Sequence, residues 1–254
     1  MMSNRRLMIA AGAALAFLVM PFAAVVISTP WTRFHMAPGD ASAVAVSIGY
    51  TLVALMVIVA IGTPLAYWLA RYEFRGKVIV EALVLLPLLT PPLAMGIMLA
   101  ILYGPYGLIG RTAAALDVAL TNTPAAFVLA QVYAAAPYFI IAARSAFETV
   151  DPRLERISST LGRSRWQTFW RVSLPLARTG LAAGLAFAWV RALGEFGIVL
   201  IIAYFPQGIP VKLWVNLQDI GLSAVYPLLW IFFLVAIPLP LILGVAARRR
   251  MVWS

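Results

Sequence analysis

The 254-residue chain contains no cysteine and a single histidine, His35. That excludes a disulfide framework and any zinc site built from Cys or from Cys and His. Acidic residues are also scarce, nine Asp and Glu against nineteen Lys and Arg, and charged residues make up only 11% of the chain. A soluble domain averages about 25% charged and roughly 45–50% apolar residues. Here 63% of residues are hydrophobic, which makes a water-soluble globule a poor account of the composition. The formal charge of +10 raises nucleic acid as a partner, but a nucleic-acid binder gathers its basic residues on one polar face. In this sequence they stand in short tracts between apolar runs. There is no GxxxxGK[ST] phosphate loop, so the chain is not expected to bind or hydrolyse ATP itself.

What is present is a series of long apolar runs. A helix needs about 20 mainly apolar residues to cross a hydrocarbon core about 30 Å thick. Six runs of that kind, bounded by charge, Pro/Gly clusters or interfacial aromatics, lie at 7–29, 44–70, 78–103, 125–147, 180–204 and 226–247. They predict an all-α integral membrane protein, with residues 1–254 forming one transmembrane domain. Arg5 and Arg6 before the first run resemble the start of a signal peptide. That run is longer than the roughly 7–15 residues of a signal core, so it is read as a span.

Charge tests the count, because Lys and Arg concentrate in short cytoplasmic loops. With the N-terminus inside, fifteen of the nineteen basic residues are cytoplasmic: Arg5, Arg6, Arg71, Arg75, Lys77, Arg144, Arg153, Arg156, Arg163, Arg165, Arg171, Arg178 and Arg248 to Arg250. Arg33, Arg111 and Lys212 fall outside, and Arg191 lies within a span. Both termini are therefore expected in the cytoplasm. Trp31, Phe34 and Trp214 fit interfacial anchors, and His35 an ordinary exposed loop residue.

Prolines 64, 87, 91, 92, 137, 238 and 240 lie in or near the spans. Each removes a backbone donor and tends to kink its helix, which lipid tolerates only where neighbouring helices or cavity water satisfy the freed carbonyls. The stretch LPLLTPP at 86–92, closely followed by Gly96, predicts a broken third span, either a structural kink or part of a pathway lining.

The only long polar segment is 148–178. Asp151 followed by Pro152 is an N-cap and first helical position, Glu155 adds negative charge to the opening turn, and Leu154, Ile157 and Leu161 form a narrow apolar stripe. Gly162 ends that helix. Ser164 with Gln167 is a capping box for a second short helix, on which Trp166, Phe169 and Trp170 share a face, and Pro175 restrains the chain before the fifth span. Such a hairpin at the inner membrane face suits either the docking of another protein or a place in the headgroups.

The string ERISSTLG at 155–162, followed by SRWQTFWRVSLPL at 164–176, resembles the EAA loop of ABC importer permeases. That pattern sets a Gly ten residues before Ile or Val, twelve before Leu and thirteen before Pro, and Gly162, Val172, Leu174 and Pro175 meet it. Ile157 and Ser158 replace the usual alanines, and Arg156 stands where many members carry the acid. The resemblance extends over about 40–248: VRALGEFG at 190–197, LAQ at 129–131, Pro137, ARSAFE at 143–148 and LLPLLTPP at 85–92 are similar to segments of molybdate, tungstate and sulfate permeases. IAYFP at 202–206 and VKLW at 211–214 are more similar to the molybdate/tungstate members.

The resemblance implies a type I importer permease fold, with the hairpin as a coupling loop seated on a cytoplasmic ATPase. Its contacts would be Glu155, Leu161, Gly162, Ser164, Trp166 and Phe169, with Val172, Leu174 and Pro175 as structural motif positions. The implied partners are a second permease subunit, in a homodimer with the pore between the copies, two ATPase subunits that bind the ATP and Mg, and an extracytoplasmic substrate-binding protein that docks near Lys212 and Trp214. The permease chain itself would carry no cofactor, metal or catalytic residue.

Arg191 and Glu195, four residues apart in the fifth span, cost at least about 2.5–3.5 kcal/mol each at membrane depth unless paired or wet. Their spacing permits a mutual bond. Either they neutralise each other, or Arg191 attracts an anion along the translocation path while Glu195 holds it in place. Gly194 and Gly197 would admit a second helix at a dimer seam, and Pro91 and Pro92 are the further pore or gate candidates. The alternatives are a sulfate permease, an iron or polyamine importer, an ion-driven secondary transporter and a membrane-embedded enzyme. The last needs clustered intramembrane His, Asp or Glu, whereas the spans carry only Glu81 beyond Glu195. Secondary transporters typically show internal inverted repeats, and none is found between the two halves.

Overall fold

A computed structural model describes residues 4–251. The side chains of Arg5, Arg6, Arg33 and Arg248 to Arg250, all used in the charge count, lie outside what is described. The helices are α1 Asn4–Ser28, α2 Asp40–Arg71, α3 Lys77–Leu89, α4 Pro92–Tyr103, α5 Gly110–Ala114, α6 Pro124–Glu148, α7 Pro152–Thr160, α8 Arg165–Thr168, α9 Leu174–Leu193, α10 Gly197–Ile202, α11 Ile209–Asp219, α12 Val225–Ala236 and α13 Pro238–Met251. Five helical stretches among the described residues are long and apolar enough to cross a membrane, and a sixth if α3 and α4 count as one broken span.

α3 and α4 meet at 110°. Pro91 and Pro92 are the reason, since neither can donate to a helical ladder and a residue before proline is driven out of the α region. Thr90 and Pro91 are extended, with ψ of 126° and 139°. The end of α3 is held by Thr90, whose amide and hydroxyl both donate to the Leu86 carbonyl at 3.1 and 2.8 Å. Pro64 and Pro137, by contrast, sit inside helices that continue through them.

α6 is the centre of the bundle. On one side, Leu55 and Ile58 of α2, Phe139 and Phe147 of α6 and Trp189 and Leu193 of α9 form one buried cluster. Nearer the other end, Met95 and Leu99 of α4, Phe127 of α6 and Ile198, Val199 and Ile202 of α10 form a second. Small residues allow the crossings: a Cβ on Gly180 would stand 2.4 Å from the Ala146 Cβ, and one on Gly62 would stand 2.9 Å from the Phe139 ring. Where lipid is as apolar as the helices, such close backbone approach is a main source of association. α1 stands apart, and its most apolar stretch buries no residue in this chain. Its ring contact with α12 is Phe22 to Phe233, at 5.7 Å.

Two expected boundaries move. The fifth span, expected at 180–204, begins much earlier: α8, a π-helical turn at Phe169–Ser173 and α9 form one continuous stretch, Arg165–Leu193. Pro175 therefore lies inside a running helix. The wider turn just before it, in which the Leu174 amide bonds to the Phe169 carbonyl, accommodates a residue that cannot extend the ordinary ladder. The span also ends early, at Leu193, and the chain turns through Gly194 to Phe196 into α10. α11, which carries Lys212 and Trp214, was not anticipated as a helix.

Candidate functional site

The polar hairpin is built as its local signals require. The Asp151 carboxylate accepts from the Arg153 amide at 2.8 Å and caps α7. At the other end Gly162 has φ of +80°, its amide donates to the Ser159 carbonyl and the Arg163 amide donates to that of Ser158, a Schellman closure. A Cβ at Gly162 would meet nothing within 4 Å. Glycine is thus required by the left-handed backbone and not by crowding between the two helices. Ser164 and Gln167 form the expected capping box, at 3.2 Å in both directions. A buried hydroxyl pair, Ser158 with Thr168 at 2.9 Å, clamps the hairpin's two arms.

Of the six expected coupling residues, Leu161, Gly162, Ser164 and Trp166 are exposed, Leu161 at 75% and Trp166 at 68%. Phe169 is half-buried, edge-on to Tyr67 at 5.0 Å. Glu155 turns inward. Its carboxylate pairs with Arg71 Nε at 2.8 Å and accepts from the Ser173 hydroxyl at 2.7 Å, while Arg71 also donates to the Val150 carbonyl at 3.0 Å. The end of α2, the end of α6, α7 and the start of α9 are therefore tied through one carboxylate and one guanidinium. The sequence pattern does not point to Arg71 or Ser173: Arg71 counts there as one of the loop charges, and no local spacing marks a partner 84 residues away.

At the far end of α9 the second charged pair closes on itself. Arg191 Nη1 bonds Glu195 Oε2, with Glu195's side chain 1% exposed and Arg191's 26%. The other oxygen of Glu195 accepts from the Ile198 amide at 2.7 Å, satisfying a donor at the start of α10 that otherwise has no partner within its helix. The Ala192 carbonyl, near the helix end, receives Gln131 Nε2 at 3.0 Å, and that nitrogen also donates to the Thr51 hydroxyl at 2.7 Å. In the sequence Gln131 stands out only as part of the LAQ string at 129–131.

Gly194 is exposed, but Gly197 is buried, and a Cβ there would stand 2.6 Å from the Pro92 Cβ. Gly96 likewise has the Gly197 carbonyl 3.2 Å from its Cβ position. The close approach that Gly197 was expected to offer a second chain is thus made to α4 of the same chain. Pro91 and Pro92 are otherwise exposed. Trp31 stacks on Phe34 at 5.9 Å, His35 is exposed, and Trp214 packs near Phe196 at 6.0 Å.

A bundle broken at two places, with a capped polar hairpin continuous with its fifth span, is the setting in which the sequence comparison becomes decisive. The model of binding-protein-dependent transport system inner membrane components matches residues 62–251. The chain belongs to this family. The permease is 43% identical over 199 residues, 78% of its length and 72% of the relative's, to a probable molybdenum ABC transporter permease protein of Haloferax volcanii. It is 34% identical over 244 residues, 93% and 91% of the two chains, to a molybdenum transport system permease protein of Mycobacterium tuberculosis. It is also 35% identical over 173 residues, 68% and 65%, to a molybdate/tungstate transport system permease protein of Thermococcus kodakarensis.

The fold agrees. A bacterial alginate ABC transporter, solved in complex with an alginate pentasaccharide-bound periplasmic protein, superposes with a TM-score of 0.75 at 15% identity, covering 96% of the permease and 93% of that chain. An inward-facing methionine ABC transporter superposes at 0.62 and 16% identity, covering 82% and 94%. The permease therefore has the all-α fold of type I ABC importer permeases and is a multi-pass membrane protein.

Proposed function

We propose that this permease carries molybdate or tungstate across the membrane, taking the anion from an external binding protein and drawing energy from two separate cytoplasmic ATPase subunits. The observation that carries the reading is the family membership together with relatives named for molybdenum and molybdate/tungstate transport along most of the chain. The exposed, doubly capped hairpin supports its ATPase-facing part. Leu161, Gly162, Ser164, Trp166 and Phe169 make up the contact surface, while Glu155 acts from behind by fixing α7 to α2 and α9. The chain binds no nucleotide, metal or other cofactor and performs no catalysis of its own.

Two copies form the route between them, with both termini in the cytoplasm. Arg191, the more exposed member of its pair, presents a positive edge beside exposed Gly194, and Glu195 fixes its position. Pro91 and Pro92 set the break of the neighbouring span. The test is reconstitution of the permease with its co-purifying ATPase and binding protein. Uptake of molybdate or tungstate requiring all three components is expected. A binding protein that takes a sugar or a metal cation tightly overturns the oxyanion, preference for sulfate moves the assignment to the sulfate branch, and transport by the isolated chain under an ion gradient overturns the importer.

A further inference from the structure

Segment 148–178 contains three acids and six arginines, and every acid is engaged within the chain. Glu148 pairs with Arg144 at 2.8 Å, Asp151 caps α7, and Glu155 is bound by Arg71 and Ser173. None of Arg153, Arg156, Arg163, Arg165, Arg171 and Arg178 has an acidic partner among the described residues. Five of them are exposed, and Arg163 is partly so.

The arrangement around α7 has a direction. Successive helical residues are about 100° apart, which puts Glu155 and Ser158 on one side. These are the residues that turn toward the span ends, meeting Arg71, Ser173 and Thr168. Arg153 lies roughly opposite, Arg156 stands about 100° round from Glu155 on the side that faces the end of α2, and Leu154, Ile157 and Leu161 form an exposed stripe between Arg153 and the polar side. A helix resting in headgroups would turn its apolar side to the membrane and hold its arginines at that level. Here the membrane-proximal side is the polar one. Beside α7 a groove of about 670 Å³ runs between it and the end of α2, lined by the Glu155–Arg71 pair and by Arg156 and Arg165.

From this we infer that the hairpin is read by an acidic surface on the cytoplasmic ATPase, one of whose carboxylates seats between Arg156 and Arg165 while apolar residues cover Leu161 and Trp166. The inference rests on the reading of the hairpin as the ATPase contact and adds the sign of the partner's charge. A guanidinium fork matches a carboxylate in geometry as well as charge, and an exposed contact of this kind steers association and is screened by salt.

The test uses full-length permease in uncharged detergent and the ATPase with which it co-purifies, the two measured by surface binding. Raising salt from about 0.05 to about 0.5 M shortens the screening length from well over 10 Å to only a few and is expected to weaken association about tenfold. Arg156→Gln with Arg165→Gln is expected to weaken it similarly at low salt and to remove most of the salt dependence, whereas Leu161→Ala weakens it at every salt concentration. Unaltered elution and protease pattern establish that the variants fold. Association that is insensitive both to salt and to the arginine variant overturns the acidic contact and leaves the coupling reading intact. An arginine variant that loses only affinity for phosphatidylglycerol nanodiscs identifies a headgroup site instead and overturns the inference. Failure of the wild-type chain to bind the ATPase at any salt concentration removes the coupling reading itself.

Discussion

Two arginine–glutamate pairs stand at opposite ends of α9, and they are made in opposite ways. Arg191 and Glu195 are four residues apart, so the helix end alone brings them together. Arg71 and Glu155 are separated by 84 residues and meet only when α2 and the hairpin are both in place. The first pair organises a local turn, neutralising a charge in an apolar setting and capping α10. The second joins four chain segments that local interactions would leave independent. One is a device for stabilising a break, the other for keeping a protruding hairpin rigid against its bundle, as the proposed coupling role requires.

The comparison can be broken at either pair. The largest effect is expected for Glu195→Ala, which leaves the partly exposed Arg191 guanidinium and the buried Ile198 amide without partners, at a cost of roughly 4 kcal/mol. A denaturing-detergent titration of the purified chain should show it, while the hairpin's protease sensitivity stays unchanged. Arg71→Ala should cost somewhat less, roughly 3 kcal/mol, and show the reverse pattern: cleavage at 152–165 accelerates, ATPase-driven uptake falls, and α9 remains protected. Equal cleavage in the two variants would show that the pairs do not divide their tasks in this way.

At Gly162 the comparison sharpens further, because its surroundings are open and only its backbone is special. Gly162→Val is expected to cost about 1–2 kcal/mol through the left-handed φ and to uncouple ATP hydrolysis from uptake without preventing insertion. Gly162→Asn, which tolerates that conformation, should retain most uptake. If both variants fail equally, a partner fills the space beside Gly162, and contact, not backbone, sets the requirement. Ser164→Ala should have the smallest effect, about 1 kcal/mol from the lost cap, visible as faster amide exchange at Trp166 and Gln167 with uptake only slightly reduced.

Much of this was legible beforehand. The caps at Asp151 and Ser164 and the stop at Gly162 depend on neighbours within a few residues, so spacing carries them. The break after Thr90 follows from two adjacent prolines. The ends of the fifth span were not legible, because its apolar run continues through α10, and only packing of Gly197 on Pro92 shows that the chain has turned. At its other end Pro175 suggested a boundary, but a π-helical turn absorbed the defect.

The sequence by itself determined that the chain lives in a membrane, roughly how often it crosses, where its polar hairpin lies and how that hairpin is capped. These properties come from apolar length and from hydrogen bonds closing within one helical turn. Only the tertiary structure decided that Glu155 faces its own bundle, that Gly197 serves an intrachain crossing and that Gln131 supports the end of α9. Each depends on which distant segment arrives alongside, and a buried donor, carboxylate or missing side chain acquires its role only from the partner placed against it.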